Sequence, residues 1–387
     1  MNGQPVYLDY AATTPTDPRV VAAMCACMGP GGAYANPAST HIEGRRSAAL
    51  VERSREQLAR LLNTKPDRLI WTSGATESNN LAIRGAALAR AARGRHLVTM
   101  PTEHKAVTDT FGALSREGFE VTWLAPAHDG RLSLDELVRV LRPDTQLVSV
   151  MHVNNETGTI QDIRAVGALC RERDVLFHCD AAQSVGKLGL DLAELPVDLL
   201  SLTAHKFYGP QGVGALYLAD RPRCRIFPIQ FGGAQEKRLR PGTLPVSLIV
   251  GAGAAAEIAA RESGQDLERI GRLCGRLWSG ISSLDGLTRN GPVDGAYPGI
   301  LNVSAAGIDG ESLMLALGPV CAASGSACNS TSGEPSHVLR ALGRTDMEAQ
   351  SAVRFSIGRM TTPQEIDIAI ERYRTAVMRL RSIAPRP

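Results

Sequence analysis

Aromatic side chains are scarce in this sequence, 4% of 387 residues. Neither sign of charge dominates: 42 Lys and Arg against 39 Asp and Glu give a formal net charge of +3. That balance excludes the strongly basic surface of a dedicated nucleic-acid binder and the acidity of a solvating tail. Long apolar runs are missing. The longest, around Leu248 to Ala256, stops at Glu257, well short of the ~20 residues that cross a bilayer. The N-terminus, Met1 to Tyr10, has neither a basic start nor an apolar stretch, so no export signal is expected. Eight cysteines in a chain of this length are too few for a disulfide scaffold. The expectation is a soluble cytoplasmic protein with reduced thiols that binds no nucleic acid directly and no membrane.

What is present points to layered α/β structure. Hydrophobic residues at 44% suffice for a large core and exclude disorder. At ~150 residues per domain the length suits about two or three units. Short apolar runs read as strands: His96–Met100, Leu147–Met151, Val175–His178, Leu199–Leu202 and Val213–Leu218. Helical patterns separate most of them, which predicts a mostly parallel sheet covered by helices. Thr40 with Glu43 and Ser133 with Glu136 fit capping boxes. Thr362, Pro363 and Glu365 mark another helix start, after which Ile366, Ile370, Tyr373, Val377 and Leu380 form one apolar face. A proline-free helical stretch from Val246 to about Leu284 can join the sheet to a second unit. The expected division is a large domain over 16–259 and a small α+β domain made of 1–15 and 260–387.

One stretch carries chemistry. Leu202-Thr203-Ala204-His205-Lys206-Phe207-Tyr208-Gly209-Pro210 follows an apolar strand and enters a Gly-Pro turn. Ligands of open α/β sheets bind at such strand ends, and a lysine there can form a Schiff base with a carbonyl cofactor. Alone, Lys206 reads as a solvated lysine. Asp180 closes the strand Val175–Cys179, where a carboxylate can keep a pyridine nitrogen protonated; alone it reads as a loop or cap aspartate. Thr72-Ser73-Gly74-Ala75-Thr76-Glu77-Ser78-Asn79 lies between a strand and a helix, where small residues and free N–H groups can cradle a phosphate.

With these three elements in order, the chain resembles the fold-type-I pyridoxal-phosphate enzymes of the class-V aminotransferase branch, and within them the cysteine desulfurases of the NifS/IscS type. Matching stretches run from Tyr7–Pro15 through Glu103–Val107, Met151–Gly158, Asp180–Lys187 and Ser324–Cys328 to Arg354–Arg359. The resemblance implies a seven-stranded large domain, a small C-terminal domain and pyridoxal 5'-phosphate as cofactor. It implies that Lys206 carries the cofactor, that Asp180 and Gln183 contact its ring nitrogen and hydroxyl, and that His104 stacks on the ring and relays protons. Ala75, Thr76, Thr203 and His205 match the phosphate site. Thr243 matches a threonine that reaches the neighbouring subunit's phosphate, so a homodimer is implied. Asn155, also matched to the cofactor site, and Arg354 match groups that hold the substrate carboxylate.

Cys328 sits in a run of small polar residues from Ser324 to Glu334, poorly explained as packing. It matches the persulfide-forming nucleophile of the family. The implied activity takes sulfur from L-cysteine, leaves L-alanine, and passes the sulfur from Cys328 to acceptor proteins such as an iron–sulfur scaffold. Transfer to tRNA thiolation or DNA phosphorothioation, selenocysteine lyase activity, a plain aminotransferase and a catalytically silent sulfur relay stand as alternatives. Cys25, Cys27, Cys170, Cys179, Cys224 and Cys274 read as incidental. Cys321, in an apolar setting, reads as buried, although it could resolve a persulfide on Cys328. His41, His128, His152 and His337 lack metal-ligand spacing, so no structural metal is expected; a transient iron–sulfur ligand role for Cys328 is the one exception. Thr203 replaces a serine of many relatives, while Ala234 and Pro241 depart from the pattern near Thr243. The close relatives' C-terminal extension, which helps dock the scaffold protein, has no counterpart after Ser382, so either that partner or its docking mode is expected to differ.

Overall fold

The computed structural model describes residues 5–324 and 334–383. A seven-stranded sheet forms its centre, in the order Leu69–Thr72, Gly214–Leu218, Leu199–Thr203, Leu176–Asp180, Thr145–Ser149, His96–Thr99, Glu120–Trp123. Gly214–Leu218 runs antiparallel to both neighbours and the other pairings are parallel. The central strands are buried along their whole length. This is why they read as continuous apolar runs rather than alternating ones. The expected mostly parallel sheet is therefore present.

The helix Val246–Ile281 runs 36 residues. Its first half, to Ala259, packs into the hydrophobic cluster around the large sheet. From Ile270 onward it packs into a second cluster with Val6, Leu8, Val303 and Phe355. That cluster covers a four-stranded antiparallel sheet in the order Ala323–Ser324, Ala352–Ser356, Ile300–Ala305, Leu287–Asn290. The N-terminal arm joins it: Val6–Tyr7 pairs in parallel with Val320–Cys321, and Asp9 bridges to Ser356. The helix Pro363–Ile383 starts with the expected reciprocal cap between Thr362 and Glu365. Ile366, Tyr373 and Val377 are buried on its apolar face, while Ile370 and Leu380 lie at the cluster's margin.

Two expectations are corrected. The helix Ile42–Leu61 is capped by His41, whose Nδ1 accepts from the Gly44 N–H at 3.2 Å, and not by Thr40. The preceding chain crosses over Gly44 so closely that a Cβ there would meet the Ser39 carbonyl at 2.3 Å, which delays the helix start by a residue. Cys321 is exposed. In its two-residue strand Val320 takes the buried face, so side-chain alternation turns Cys321 outward. Cys25 is exposed too, whereas Cys27, Cys170, Cys179, Cys224 and Cys274 are buried.

Candidate active site

A cavity of about 520 Å³ opens at the C-terminal ends of the central strands. Ala75, Thr76, His104, Asn155, Asp180, Gln183, Thr203, His205, Lys206 and Arg354 all line it. Two of the sequence-derived site residues are not among them. Thr243 is exposed and outside this cavity, and Cys328 lies outside the described residues.

Each wall has a local cause. The strand Leu69–Thr72 hands over to the helix Ala75–Ala89 through Gly74, at φ +153°. Gly214 allows the close approach of this turn to the sheet, since a Cβ there would lie 2.6 Å from the Gly74 Cα. No side chain caps the helix, so its first N–H groups and the positive end of its dipole face the cavity. Asp180 ends the strand Leu176–Asp180, buried, and both its oxygens are fixed. Oδ2 accepts from Asn79 Nδ2 at 2.7 Å, and Oδ1 accepts from the Ala182 N–H at 2.9 Å.

Lys206 ends a short 3-10 turn, Ala204–Lys206. The N-terminal arm braces that turn. The His205 carbonyl accepts from the N–H and the hydroxyl of Thr14, both at 2.9 Å, and Thr14 Oγ1 accepts from the Tyr208 N–H at 2.8 Å. Tyr208 itself adopts φ +67°, a left-handed conformation that a bulky residue holds only when its surroundings over-determine it. His205 bonds through Nδ1 to Thr13 Oγ1 at 3.1 Å. Burial and the Lys206 and Lys187 ammonium groups push its imidazole down to about 4, so it is neutral at pH 7.

His104 caps the helix Lys105–Arg116 and lines the cavity at the same time. The Ala106 N–H donates to its Nδ1 at 3.1 Å, which leaves the neutral ring's proton on Nε2. Burial, then the charge on Lys206, lowers its pKa below the ordinary histidine value. Arg354, on the strand Ala352–Ser356, is nearly fully buried. Its Nη1 donates to the Asn155 carbonyl at 2.9 Å and its Nη2 to Asp9 Oδ1 at 2.7 Å. Its buried Nε has no hydrogen-bond partner among the described residues.

The walls also contain groups that sequence reasoning passed over. Glu156 is buried and accepts from the Ser336 hydroxyl at 2.5 Å. Burial pushes its carboxyl up to about 7. His337 bonds through Nε2 to the Glu103 carbonyl at 3.0 Å. Asp9, Glu156 and Ser336 each lie within quoted or adjacent motifs, but nothing in those motifs says which distant residue they meet.

The donor set suits pyridoxal 5'-phosphate. An uncapped helix start and glycine-lined turn fit a phosphate, a fixed buried carboxylate fits a protonated ring nitrogen, and Lys206 lies on the same cavity. A lysine and a fixed carboxylate on one cavity at the strand ends of such a sheet are what a pyridoxal-phosphate enzyme requires.

Comparison with known proteins sharpens that class. The family model "Aminotransferase class-V" matches residues 6–368. The chain is 51% identical over 382 residues to "Cysteine desulfurase IscS" of Escherichia coli (strain K12 / DH10B), covering 98% of this chain and 95% of that protein. A solved "NIFS-LIKE PROTEIN" superimposes with a TM-score of 0.90 at 35% identity, covering 98% of this chain and 100% of the other. "SspA in complex with cysteine" gives 0.82 at 37% identity, with 92% and 99% covered. The chain belongs to the class-V aminotransferase family and, within it, to the cysteine desulfurases. Membership brings dependence on pyridoxal 5'-phosphate with it.

Proposed function

We propose that the protein takes sulfur from L-cysteine, leaves L-alanine, and carries the sulfur on Cys328 as a persulfide for delivery to acceptor proteins, foremost those that assemble iron–sulfur clusters. The observation that carries this reading is the convergence of Lys206, Asp180, the open start of Ala75–Ala89 and Arg354 on one cavity. The likeness to a protein solved in complex with cysteine supports the substrate.

Pyridoxal 5'-phosphate, when bound, supplies an electron sink for the pair released at the substrate Cα. The helix start at Ala75 and Thr76, with Thr203 and His205, holds its phosphate. Asp180, pinned by Asn79 and Ala182, keeps a proton on the ring nitrogen. Arg354 and Asn155 orient the substrate carboxylate; a planar guanidinium suits that task. Lys206 Nζ first holds the cofactor, then takes the Cα proton. His104, neutral with its hydrogen on Nε2, offers a hydrogen-bond donor to the substrate side. The Cys328 thiolate attacks the substrate sulfur. The S–S bond forms, the Cβ–S bond breaks, and its electron pair stays with the carbon fragment that becomes alanine.

The working unit in this reading is a cytoplasmic homodimer. Thr243 is exposed and outside its own chain's cavity, and Phe231 nearby in sequence is 88% exposed. A second subunit would cover the phenylalanine and receive the threonine at its phosphate site. The division into a large domain over 16–259 and a small one over 1–15 and 260–387 belongs to the same proposal.

Cys328→Ala tests the central step. The variant should keep the visible absorbance of the bound cofactor and lose sulfide release from cysteine in the presence of a thiol reductant. Undiminished sulfide release would exclude Cys328 as the carrier.

A further inference from the structure

The turn after Asp180 carries a cation that the steps above do not use. Gly186, at φ +73°, lets this turn press against the lysine turn; a Cβ there would come within 2.6 Å of the Phe207 Cβ. The next residue, Lys187, is thereby brought behind the cavity wall. Its Nζ donates to Gln183 Oε1 at 2.9 Å and lies 5.5 Å from the centre of the buried Tyr297 ring. Gln183 Nε2 donates to the Ala11 carbonyl at 2.7 Å. Ala11 is anchored in turn, its N–H donating to Ser356 Oγ at 2.8 Å.

A glutamine amide fits a site in two orientations related by exchange of N and O. An ammonium can only donate, so it accepts one of them, with Oε1 toward Lys187. A backbone carbonyl can only accept, and so selects the same one. Oε1 is then committed to Lys187, while Nε2 keeps a second hydrogen beyond the one given to Ala11, and Gln183 lines the cavity.

We propose that Lys187 is a positioning residue that locks the Gln183 amide with its N–H side toward the cavity, fixing a donor for the anionic ring oxygen of the bound cofactor. This rests on the reading that Gln183 faces that oxygen. The surroundings disfavour the cation unless an anion lies near it. Burial, with Lys206 and Arg354 close by, pulls the Lys187 ammonium down to about 7. Tyr297 and Tyr208, beside it, are pushed well up by burial and stay neutral. Asp266 lines the small void shared with Lys187, and its carboxylate is engaged by Arg359 at 2.6 Å. A cation in such a place is costly unless an anion lies nearby, and an oxygen anion beyond Gln183 supplies one.

The test uses the holoenzyme and reads the pH midpoint of the visible absorbance of the cofactor bound at Lys206. A donor to the ring oxygen favours its anionic form, which lowers the pH at which the lysine–cofactor linkage loses its proton. Lys187→Met should raise the midpoint by about half to one pH unit. Lys187→Arg, which keeps cation and donor, should stay near wild type. In a Gln183→Leu background, Lys187→Met should add nothing. If Lys187→Met does not fold, Lys187→Gln, which can donate or accept, leaves the Ala11 carbonyl as the one remaining selector of the orientation and should move the midpoint the same way by a smaller amount. An unmoved midpoint, or an equal shift in the Gln183→Leu background, overturns the inference. A wild-type holoenzyme without a visible band would instead overturn the assignment of Lys206, and this inference with it.

Discussion

Arg354 Nη2 donates to Asp9 Oδ1 at 2.7 Å, joining residues 345 positions apart at the cavity wall. Arg354 is almost fully enclosed, with Asp9 more open. The aspartate therefore aims the guanidinium, and the Asn155 carbonyl on Nη1 fixes its plane.

Removing that aim should weaken substrate binding more than chemistry. Asp9→Ala is expected to raise the KM for cysteine roughly ten-fold, about 1.4 kcal/mol, with the cofactor's absorbance unchanged. Steady-state kinetics check it. An unaltered KM would show that Arg354 holds its place without Asp9.

Glu156 makes stability depend on pH. Burial lifts its carboxyl from the ordinary value to about 7, with Ser336 and Arg354 acting the other way. The folded chain therefore binds a proton that the unfolded chain releases between the ordinary carboxylate pKa and about 7. Stability from this group is present below that window and lost as pH rises through it, on the order of 3 kcal/mol in all. Glu156→Gln should flatten the dependence. Urea unfolding of both proteins at pH 5 and pH 8 measures it, and parallel slopes would rule out the role.

Phe231 should report on association. A phenylalanine at 88% exposure is expected to be covered in the working dimer. Phe231→Glu should shift the sedimentation of the holoenzyme toward the monomer and, by withdrawing Thr243 from the neighbouring site, weaken cofactor retention. A variant that stays dimeric would place the interface elsewhere.

Much of this was legible in the chain. Leu199–Leu202 and Val175–His178 read as strands because both faces are buried and most positions are apolar. Lys206 and Asp180 stood out because chemistry-bearing residues at strand ends break that pattern. The cap at His41 was not legible, since it depends on how closely Ser39 passes over Gly44. Cys321 reads as core from its neighbours, but a two-residue strand puts alternate side chains on opposite faces, and only the pairing with Val6–Tyr7 says which face is covered.

The linear order of residues was enough to settle the covalent and local matters: which strands can be buried, that a helix starts at Thr362, and that a lysine, a carboxylate and a small-residue turn are available for one cofactor. Local sterics and hydrophobic periodicity are written at short range, so a sequence carries them. Tertiary structure alone decided that Asp9 meets Arg354, that Ser336 meets Glu156, and that Gln183 meets Ala11. Hydrogen bonds and ion pairs act over a few ångströms in space whatever their separation along the chain, and those separations close only when the sheet and the N-terminal arm come together.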